Sequence, residues 1–432
     1  MFASLDAAEV ERERAGLPGG LLLRTLATLP FLAEASLSGA AGALFREPAI
    51  LLRLGWAPVA IRAGANGRHR HPQGRQPESL PCHPDTLRDA LRRVGEAAWA
   101  RVQRAGVAAL YARRLVRGAV YAIDGSGLGA GLRVVALVCV SSERPVIVAW
   151  RLLEGAASEK GKEAGVTRAL VAQALDLGGA GTIRLLLADA LYADGPLLAW
   201  LLCVHGIDAL VRLPADRCLY QELEALAAGD GLEWRTHHET RTVRGHKARR
   251  RLEVAGLGGL TSWDSFVAAA AGYGRPDATL WGGLIREEHP ETPGKTETWA
   301  LVSTRAWPGG YPAVQAYRAR WHVEDDAFRE LKAGWGLEEA RWGRDAAAAR
   351  GRLTLTCLAF NTAQVYRGRA GERVAALGIR RLRRQHRPDL GAAPAVIYLN
   401  GSYGVFAVED LLALLGARVR ESLLPGRGSP AP

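Results

Sequence analysis

Tyr317-Arg-Ala-Arg-Trp-His-Val-Glu-Asp-Asp-Ala-Phe-Arg-Glu-Leu-Lys332 gathers a phenol, guanidinium groups, carboxylates and a rare lysine on neighbouring turns of one predicted helix. Aromatic, apolar and selected polar residues recur along it at helical spacing. The recurring positions are Tyr317, Arg320, Trp321, Glu324, Phe328 and Leu331. This spacing predicts that Glu324 lies on a half-buried face, where a carboxylate needs a cation or a metal as its partner.

The position of the lysine leaves two candidates for the functional carboxylate of this helix. Seven steps of an α-helix return to nearly the same face, whereas eight steps rotate by roughly a quarter turn. Lys332 lies seven residues after Asp325 and eight after Glu324. We favour Glu324, because only Glu324 keeps helical register with Tyr317 and Arg320.

The composition indicates a basic protein of several structural units. A chain of 432 residues is too long for one simple core, and we expect two to four units. The formal net charge is +12 and the isoelectric point is near 9.9. Such a charge favours a polyanionic partner, most commonly nucleic acid, and a basic protein without such a partner is the alternative.

Cysteine usage and hydropathy exclude several classes of protein. The five cysteines are scattered and form no Cys-x-x-Cys pair, so neither a disulfide framework nor a zinc knuckle is indicated. No apolar run approaches the roughly 18 to 20 residues that span a bilayer, and acidic residues stand where a signal peptide would be basic. We therefore expect a cytoplasmic protein with no membrane partner.

The hydrophobic pattern predicts an α/β protein with helical ends. Three β-branched, apolar runs after Gly118 are followed by a predicted helix and a buried strand, which suggests a mixed sheet of the ribonuclease H type. A polar, arginine-rich stretch with strand-like pieces then interrupts this rhythm. The predicted regions are a helical N-terminal region (1–118), the first part of the core (119–214), a β-rich insertion (215–298), the second part of the core with the Tyr317 helix (299–370), and a helical C-terminal region (371–432).

Two aspartates are predicted at strand ends. Asp124 closes an apolar strand, and the Gly-Ser-Gly-Leu-Gly run that follows predicts a turn that exposes its carboxylate. Asp189 ends the run Leu185-Leu-Leu-Ala. Carboxylates from two strand ends and one helix can converge and hold divalent cations through oxygen ligands, as phosphoryl transfer requires. The alternative is that each aspartate only caps a turn. Asp194 is a further candidate for the second carboxylate, but it follows Asp189 too late in the chain to lie at the strand end.

Three motifs in this order resemble the DDE transposases of bacterial insertion sequences. That cut-and-paste group carries Tyr, two residues, Arg, three residues, Glu, six residues, Lys, and the spacing fits Tyr317, Arg320 and Glu324. Lys332 comes one residue late, although some members have a longer step from Glu to Lys. Asp124 stands in the context of the first aspartate and Asp189 in that of the second, Asp-x-x-Tyr. The resemblance runs from residue 121 to about residue 366.

The resemblance implies a ribonuclease H-like core and two-metal catalysis. Asp124, Asp189 and Glu324 would coordinate two Mg²⁺ ions, with Mn²⁺ as a substitute, to cleave the transposon ends and join their 3′-hydroxyls to target DNA. Basic and aromatic side chains would contact the DNA, with Trp299 stacking on an extruded base. The proposed DNA contacts are Tyr317, Arg320, Lys332, Arg212 and Trp299. A packed tyrosine with solvated cations is the alternative for this helix.

The implied partners are double-stranded DNA, both transposon ends and target, and a second copy of the chain in a synaptic complex. The protein would act at the bacterial nucleoid, and residues 1–118 would bind the DNA ends. The C-terminal region would contribute oligomerisation or DNA contact. The competing functions are a metal-dependent nuclease on the same core and a decayed remnant that binds DNA without cutting it. A carboxylate-pair glycosidase fits the acids but leaves Arg320 and Lys332 without a role.

Overall fold

The structure is a computed structural model, and it describes most of the chain. The described residues are 2–5, 17–32, 36–40, 44–45, 47–63, 81–129, 131–155, 163–229, 231–243, 246–288, 295–338, 342, 345–370, 372–382, 395–399 and 402–406. The chain divides into two compact units. One unit comprises Met1–Ala109 with Arg329–Pro432, and the other comprises Leu110–Phe328.

The unit of residues 110–328 is built on one nine-stranded sheet. Its strands are β1 (Val120–Gly129), β2 (Leu132–Cys139), β3 (Val146–Glu154), β4 (Leu185–Ala188), β5 (Asp208–Leu213), β6 (Arg235–Val243), β7 (His246–Leu260), β8 (Leu280–Glu288) and β9 (Thr296–Ser303). The order across the sheet is β3-β2-β1-β4-β5-β9-β8-β7-β6. Strands β1, β4 and β5 are parallel neighbours, and all other neighbouring pairs are antiparallel.

The predicted mixed α/β class is confirmed. The central strands β1 and β4 carry apolar side chains that are buried throughout β4 and over Tyr121–Ile123 of β1, as expected for strands covered on both faces. The strands of residues 215–298 do not form a separate sheet. Instead β9 pairs with β5, so that β6 to β9 extend the same sheet.

The expected turn directly after Asp124 is wrong, because β1 continues to Gly129. Residues Gly125 to Gly127 pair with residues of β2, and this antiparallel pairing overrides the weak strand propensity of the Gly-Ser-Gly run. On the β4 side, however, the pairing of β1 ends at Ile123. Asp124 therefore lies within one ladder and just beyond the end of the other.

Helices occur in both units. They are α1 (Phe2–Leu5), α2 (Gly19–Thr28), α3 (Pro48–Leu54), α4 (Pro58–Ala63), α5 (Pro84–Arg93), α6 (Glu96–Ala112), α7 (Thr167–Gly178), α8 (Gly195–His205), α9 (Cys218–Ala228), α10 (Asp264–Gly272), α11 (Tyr311–Arg318), α12 (Ala346–Arg369) and α13 (Glu372–Ala375). In the sheet unit, α7 packs on β2 and β3, α8 on β5 and α10, and α9 on β8. No helix among the described residues is long and apolar enough to cross a membrane.

The predicted helix from Tyr317 to Lys332 is helical but not uniformly α-helical. Helix α11 ends at Arg318, and two π-helical segments follow at Val323–Phe328 and Glu330–Gly334. Trp321 was predicted on the half-buried face, but its side chain is 45% exposed. This expectation is wrong because Ala319 and Arg320 form a turn, which interrupts the α-helical spacing just before Trp321.

The other unit is mainly helical. Helices α2, α5 and α12 pack on one another, and Arg92 of α5 forms a 2.8 Å ion pair with Asp345, the N-cap residue of α12. The C-terminal region, expected to be mostly helical, also contains an antiparallel hairpin of β10 (Ala395–Leu399) and β11 (Ser402–Phe406). The remaining C-terminal residues from 407 onward lie outside the described residues, as do residues 64–80 of the N-terminal region.

Candidate active site

Asp124 and Asp189 lie next to each other across the parallel strands β1 and β4. The last paired residues of this ladder are Ile123 and Ala188, and each aspartate is the residue that follows. Because parallel strands run in step, the two carboxylates leave the sheet at the same edge. The carboxyl ends of parallel strands are where open α/β sheets place their binding crevice.

Each aspartate is oriented by the backbone that follows it. The Asp124 Oδ1 atom accepts a 2.8 Å hydrogen bond from the Gly125 amide, and the Asp189 Oδ1 atom accepts one of 2.7 Å from the Ala190 amide. Asp189 is the N-cap of a short 3₁₀ turn, Ala190–Tyr192, which ends β4. These bonds fix one oxygen of each carboxylate, as an Asx-type contact does.

Arg320 joins Glu324 to this pair of aspartates. One guanidinium nitrogen, Nη1, lies 3.1 Å from Asp124 Oδ2 and 2.7 Å from Glu324 Oε1. The Arg320 side chain is only 5% exposed, compared with 13% for Asp124 and 39% for Glu324. The π-helical segment that carries Glu324 packs against β1. The structure thus brings Asp124, Asp189 and Glu324 into one cluster.

The cluster holds more negative charge than one arginine neutralises. Burial, with smaller effects from the charges of Glu324 and Asp189, raises the pKa of Asp124 to about 7 against the opposing effects of Arg320 and of the Gly125 hydrogen bond. The pKa of Arg320 is raised, because Tyr317 and the two carboxylates outweigh the effect of its burial. A second cation would therefore be electrostatically favoured here.

Two further acids were weighed from the sequence. Asp325 is exposed, whereas Glu324 is half-buried and contacts Arg320, so the geometry favours Glu324 at this position. Asp194 is the N-cap of α8, where its Oδ1 accepts a 2.7 Å hydrogen bond from the Leu197 amide. Capping accounts for Asp194 without a role in the site.

Three of the proposed DNA contacts adjoin the acids. Tyr317 is buried, and its pKa is raised to about 12 by burial, with smaller effects from the neighbouring charges of Arg320, Asp189 and Arg212. The Trp299 ring lies 6.1 Å from the Tyr317 ring, centroid to centroid. The Arg212 guanidinium stands 5.7 Å from the centroid of the Trp299 ring. Tyr317 therefore lies between the carboxylate cluster and the Trp299 ring, which Arg212 in turn contacts.

Lys332 belongs to the other unit of the chain. Its ammonium forms a 2.8 Å ion pair with Glu338, and its side chain is 27% exposed. The residues beside it anchor the second π-helical segment to α12, since Glu330 forms a 2.8 Å ion pair with Arg367.

A buried charge cluster that the sequence analysis did not identify connects the insertion to α11. Glu239 on β6 accepts hydrogen bonds from Tyr311 (2.7 Å) and Arg318 (2.5 Å), and its other oxygen lies 3.7 Å from Arg250 on β7. Arg250 also pairs with Glu287 on β8. Burial raises the pKa of Glu239, but the two hydrogen bonds and the two arginines lower it by more, so the net shift is downward. The helix that carries Tyr317 is thereby fixed to the extended part of the sheet.

The donor chemistry of the acidic cluster suits a divalent cation, although the groups are not arranged around one. Within the described residues, no group of three or more His, Cys, Asp or Glu side chains is positioned to hold a metal ion. Carboxylate oxygens are the ligands that Mg²⁺ and Mn²⁺ prefer. In this structure the Arg320 guanidinium stands between two of these carboxylates, where it stands in for a cation. The types of donor therefore suit the metal, whereas their present arrangement holds the Arg320 guanidinium instead.

Comparison with known families identifies the domain. Residues 153–362, slightly less than half of the chain, match the family described as a transposase DDE domain. The matched stretch contains Asp189 and Glu324, whereas Asp124 lies before it. The chain matches no curated protein. The match bears out the resemblance to DDE transposases over residues 153–362.

Proposed function

Because residues 153–362 form a transposase DDE domain, we propose that the chain cleaves phosphodiesters at the ends of an insertion sequence and joins the freed 3′-hydroxyls to target DNA. The observation that carries this proposal is the meeting of Asp124, Asp189 and Glu324 at one edge of the sheet. Three acids from separate strands and a helix segment supply the oxygen ligands of a two-metal site. Two Mg²⁺ ions, or Mn²⁺ in their place, are the proposed cofactors.

We further infer that β1 to β5 form a ribonuclease H-like core. Three antiparallel strands followed by two parallel ones, in the order β3-β2-β1-β4-β5, support this inference. The carboxylates then stand at the carboxyl ends of adjacent central strands. The insertion of residues 215–298 extends this core beyond β9 and carries no acid of the proposed catalytic set.

The chain's own residues prepare the site for phosphoryl transfer. Asp124 and Asp189 are held by backbone amides, so their carboxylates need little reorganisation when the site fills. Bound metal would supply an activated water or 3′-hydroxyl and would stabilise the leaving oxygen. Tyr317 and Arg320 would hold a phosphate next to the acids, with the arginine fork gripping two oxygens at once. No protein nucleophile is required.

The remaining contacts with DNA are assigned by charge and position. Arg212 stands over the Trp299 ring, beside Tyr317, and we propose that Trp299 stacks on an unpaired base while Arg212 contacts its phosphate. Lys332 would contact the backbone as a point charge. Residues 1–118 would bind the transposon ends, and residues 371–432 would contribute to oligomerisation or to DNA contact. A homodimer would hold two ends in the synaptic complex, at the bacterial nucleoid in the cytoplasm.

The deciding experiment supplies the purified chain with Mg²⁺ and a duplex that carries the inverted repeats flanking its own reading frame. Wild type should cut at the repeat end and join the 3′-hydroxyl to a second duplex, which denaturing gels detect as a longer strand. Cutting without joining would instead support the metal-dependent nuclease. Binding without cutting, in the presence of Mg²⁺ or Mn²⁺, would indicate a decayed enzyme.

A further inference from the structure

Arg320 is the most deeply buried charged group in the acidic cluster. Its Nη1 nitrogen donates to Asp124 at 3.1 Å and to Glu324 at 2.7 Å, and its side chain is 5% exposed. A guanidinium cannot lose its proton in a protein, so this positive charge is permanent. The two carboxylates that would hold a metal are therefore already bound to a cation of the protein itself.

A divalent ion and the Arg320 guanidinium cannot both use these oxygens fully. A divalent ion on Asp124 Oδ2 and Glu324 Oε1 would share these oxygens with the guanidinium, and the two positive charges would repel each other within a few ångströms. Burial strengthens this repulsion, because water screens it poorly. Metal binding to the free protein thus requires Arg320 to withdraw at least partly from the acids.

We propose that Arg320 occupies the cation position between Asp124 and Glu324 in the DNA-free protein and thereby makes binding of a divalent metal depend on bound DNA. A DNA phosphate offers the guanidinium a bidentate anionic partner that replaces the carboxylates. When Arg320 turns to the phosphate, the acids become available to the metal. Metal and DNA then bind cooperatively, each raising the affinity for the other by the same factor. This inference rests on the proposed metal site.

The first test measures metal affinity without DNA. The full chain is freed of metal with a chelator and titrated with Mn²⁺ by calorimetry, as wild type, Arg320→Gln, Arg320→Ala and Arg320→Lys. Arg320→Gln keeps hydrogen-bond donors near both acids and is the variant best able to fold. Removing the charge should tighten Mn²⁺ binding by about tenfold or more in both neutral variants, whereas Arg320→Lys should stay close to wild type.

Arg275→Gln is the matched control for this titration. Arg275 is exposed and pairs with the exposed Asp277 rather than with an acid of the site. Its Mn²⁺ affinity should equal that of wild type, and circular dichroism should confirm that all variants fold. Equal Mn²⁺ affinity in wild type and in Arg320→Gln would overturn the inference.

Asp124→Asn separates failure of the inference from failure of the proposed metal site. If Asp124→Asn abolishes Mn²⁺ binding while Arg320→Gln leaves it unchanged, the result supports the proposed metal site and contradicts the proposed role of Arg320. Mn²⁺ binding that Asp124→Asn does not change would contradict both the proposed metal site and the inference about Arg320.

The second test measures the coupling to DNA. The same Mn²⁺ titrations are repeated in the presence of a 20-base-pair duplex of arbitrary sequence, whose phosphates are the probe. The duplex should raise the Mn²⁺ affinity of wild type several-fold more than that of Arg320→Gln, because only wild type has a cation to release. An equal increase in the two proteins would contradict release of Arg320 by DNA.

Discussion

Asp124 and Asp189 each follow the last residue pair of the parallel ladder between β1 and β4 by one position. Their proximity is therefore set by strand register and not by loop geometry. A register slip of one residue would turn one of the two side chains to the opposite face of the sheet. The pairing of β1 with β4 thus positions both carboxylates that the substitutions below would change.

Replacing any acid of the cluster by alanine should abolish DNA cleavage and leave DNA binding at low metal roughly intact. The acids hold the metal, whereas the basic surface holds the phosphate backbone. Gel-shift and cleavage assays on Asp124→Ala, Asp189→Ala and Glu324→Ala measure the two activities. Asp194→Ala is the control, and it should lose about 1 kcal/mol of helix capping while it retains cleavage. Parallel loss of binding and cleavage would point to misfolding.

The neighbours Glu324 and Asp325 should respond differently to neutralisation. Glu324→Gln removes the carboxylate that contacts Arg320, whereas Asp325→Asn changes an exposed side chain. We expect Glu324→Gln to lose cleavage and Asp325→Asn to retain it within a few-fold. Single-turnover cleavage rates at saturating Mg²⁺ compare the two directly. The reverse outcome would assign the third acid to Asp325.

Metal affinity should rise with pH and level off near pH 7. A metal ligand must be deprotonated, and burial raises the pKa of Asp124 to about 7, so protons compete with the metal below that value. Calorimetric Mn²⁺ titrations should show up to about tenfold tighter binding per pH unit between pH 5 and 7. Asp194→Asn, at a capping residue outside the cluster, should keep the wild-type profile. A wild-type profile without slope below pH 7 would contradict the raised pKa.

The raised pKa of Asp124 also affects the stability of the metal-free protein. A raised carboxyl pKa means that the folded state holds the proton more firmly than the unfolded state does. The stabilising contribution of Asp124 is therefore present below the ordinary aspartate pKa and is lost as the pH rises through about 7. Denaturant unfolding between pH 4 and 8, with and without Mn²⁺, measures this loss and its reversal by metal.

Glu239→Gln should destabilise the sheet unit by about 3–5 kcal/mol, because it breaks a buried network and leaves Arg250 and Arg318 short of a counter-charge. The pKa of Glu239 is lowered, so its contribution is present above the ordinary glutamate pKa and is lost as the pH falls through the lowered value. Unfolding midpoints across pH 3 to 7 should flatten in the variant. Glu253→Gln, which loses an ion pair with the exposed Arg251, should change stability by about 1 kcal/mol or less.

Neutralising a phosphate contact should reduce the salt dependence of DNA binding. Each lost contact with duplex DNA removes about 0.9 from the log-log slope, and we expect this for Arg320→Ala and Lys332→Ala. Arg320→Lys should also impair cleavage, since a point charge does not reproduce the bidentate fork. Lys295→Ala, at an exposed lysine outside the proposed contacts, should leave the slope unchanged. Slopes parallel to wild type for Arg320→Ala would remove its assignment to phosphate.

Local sequence patterns predicted the first five strands well, because each combines apolar, β-branched residues with a flanking turn signal. They failed at the end of β1, where the Gly-Ser-Gly run after Asp124 indicated a turn. Pairing with Val134 and Val135 of β2 keeps this run extended, and such pairing is a tertiary effect that propensity does not contain. The adjacency of Asp124 and Asp189 likewise depends on register, which a single sequence does not specify.

Sequence patterns also did not predict the helical geometry of the chain after Arg318. The predicted face for Trp321 and the step from Glu324 to Lys332 both assumed regular α-helical geometry, whereas the chain makes a turn and then π-helical segments. Hydrogen bonds in a π-helical turn join residues i and i+5, so the turn is wider than an α-helical turn. The residue spacing of an α-helix therefore does not predict which side chains share a face in these segments. The Glu239 cluster escaped detection for a different reason, since Arg318 lies 79 residues from its partner.

The position of β9 between β5 and β8 also bears on the synthesis of the protein. During translation, β5 (Asp208–Leu213) emerges with β4 as its neighbour on one side, but its partner on the other side begins only at Thr296. Until then the nascent sheet has an open edge, and residues of β5 that are buried in the folded protein, such as Leu210 and Val211, lie at this edge. Open strand edges pair readily with other chains. Chains that terminate within the insertion would therefore be prone to aggregate, because the strand that covers this edge of β5 is the last of the nine-stranded sheet to be synthesised.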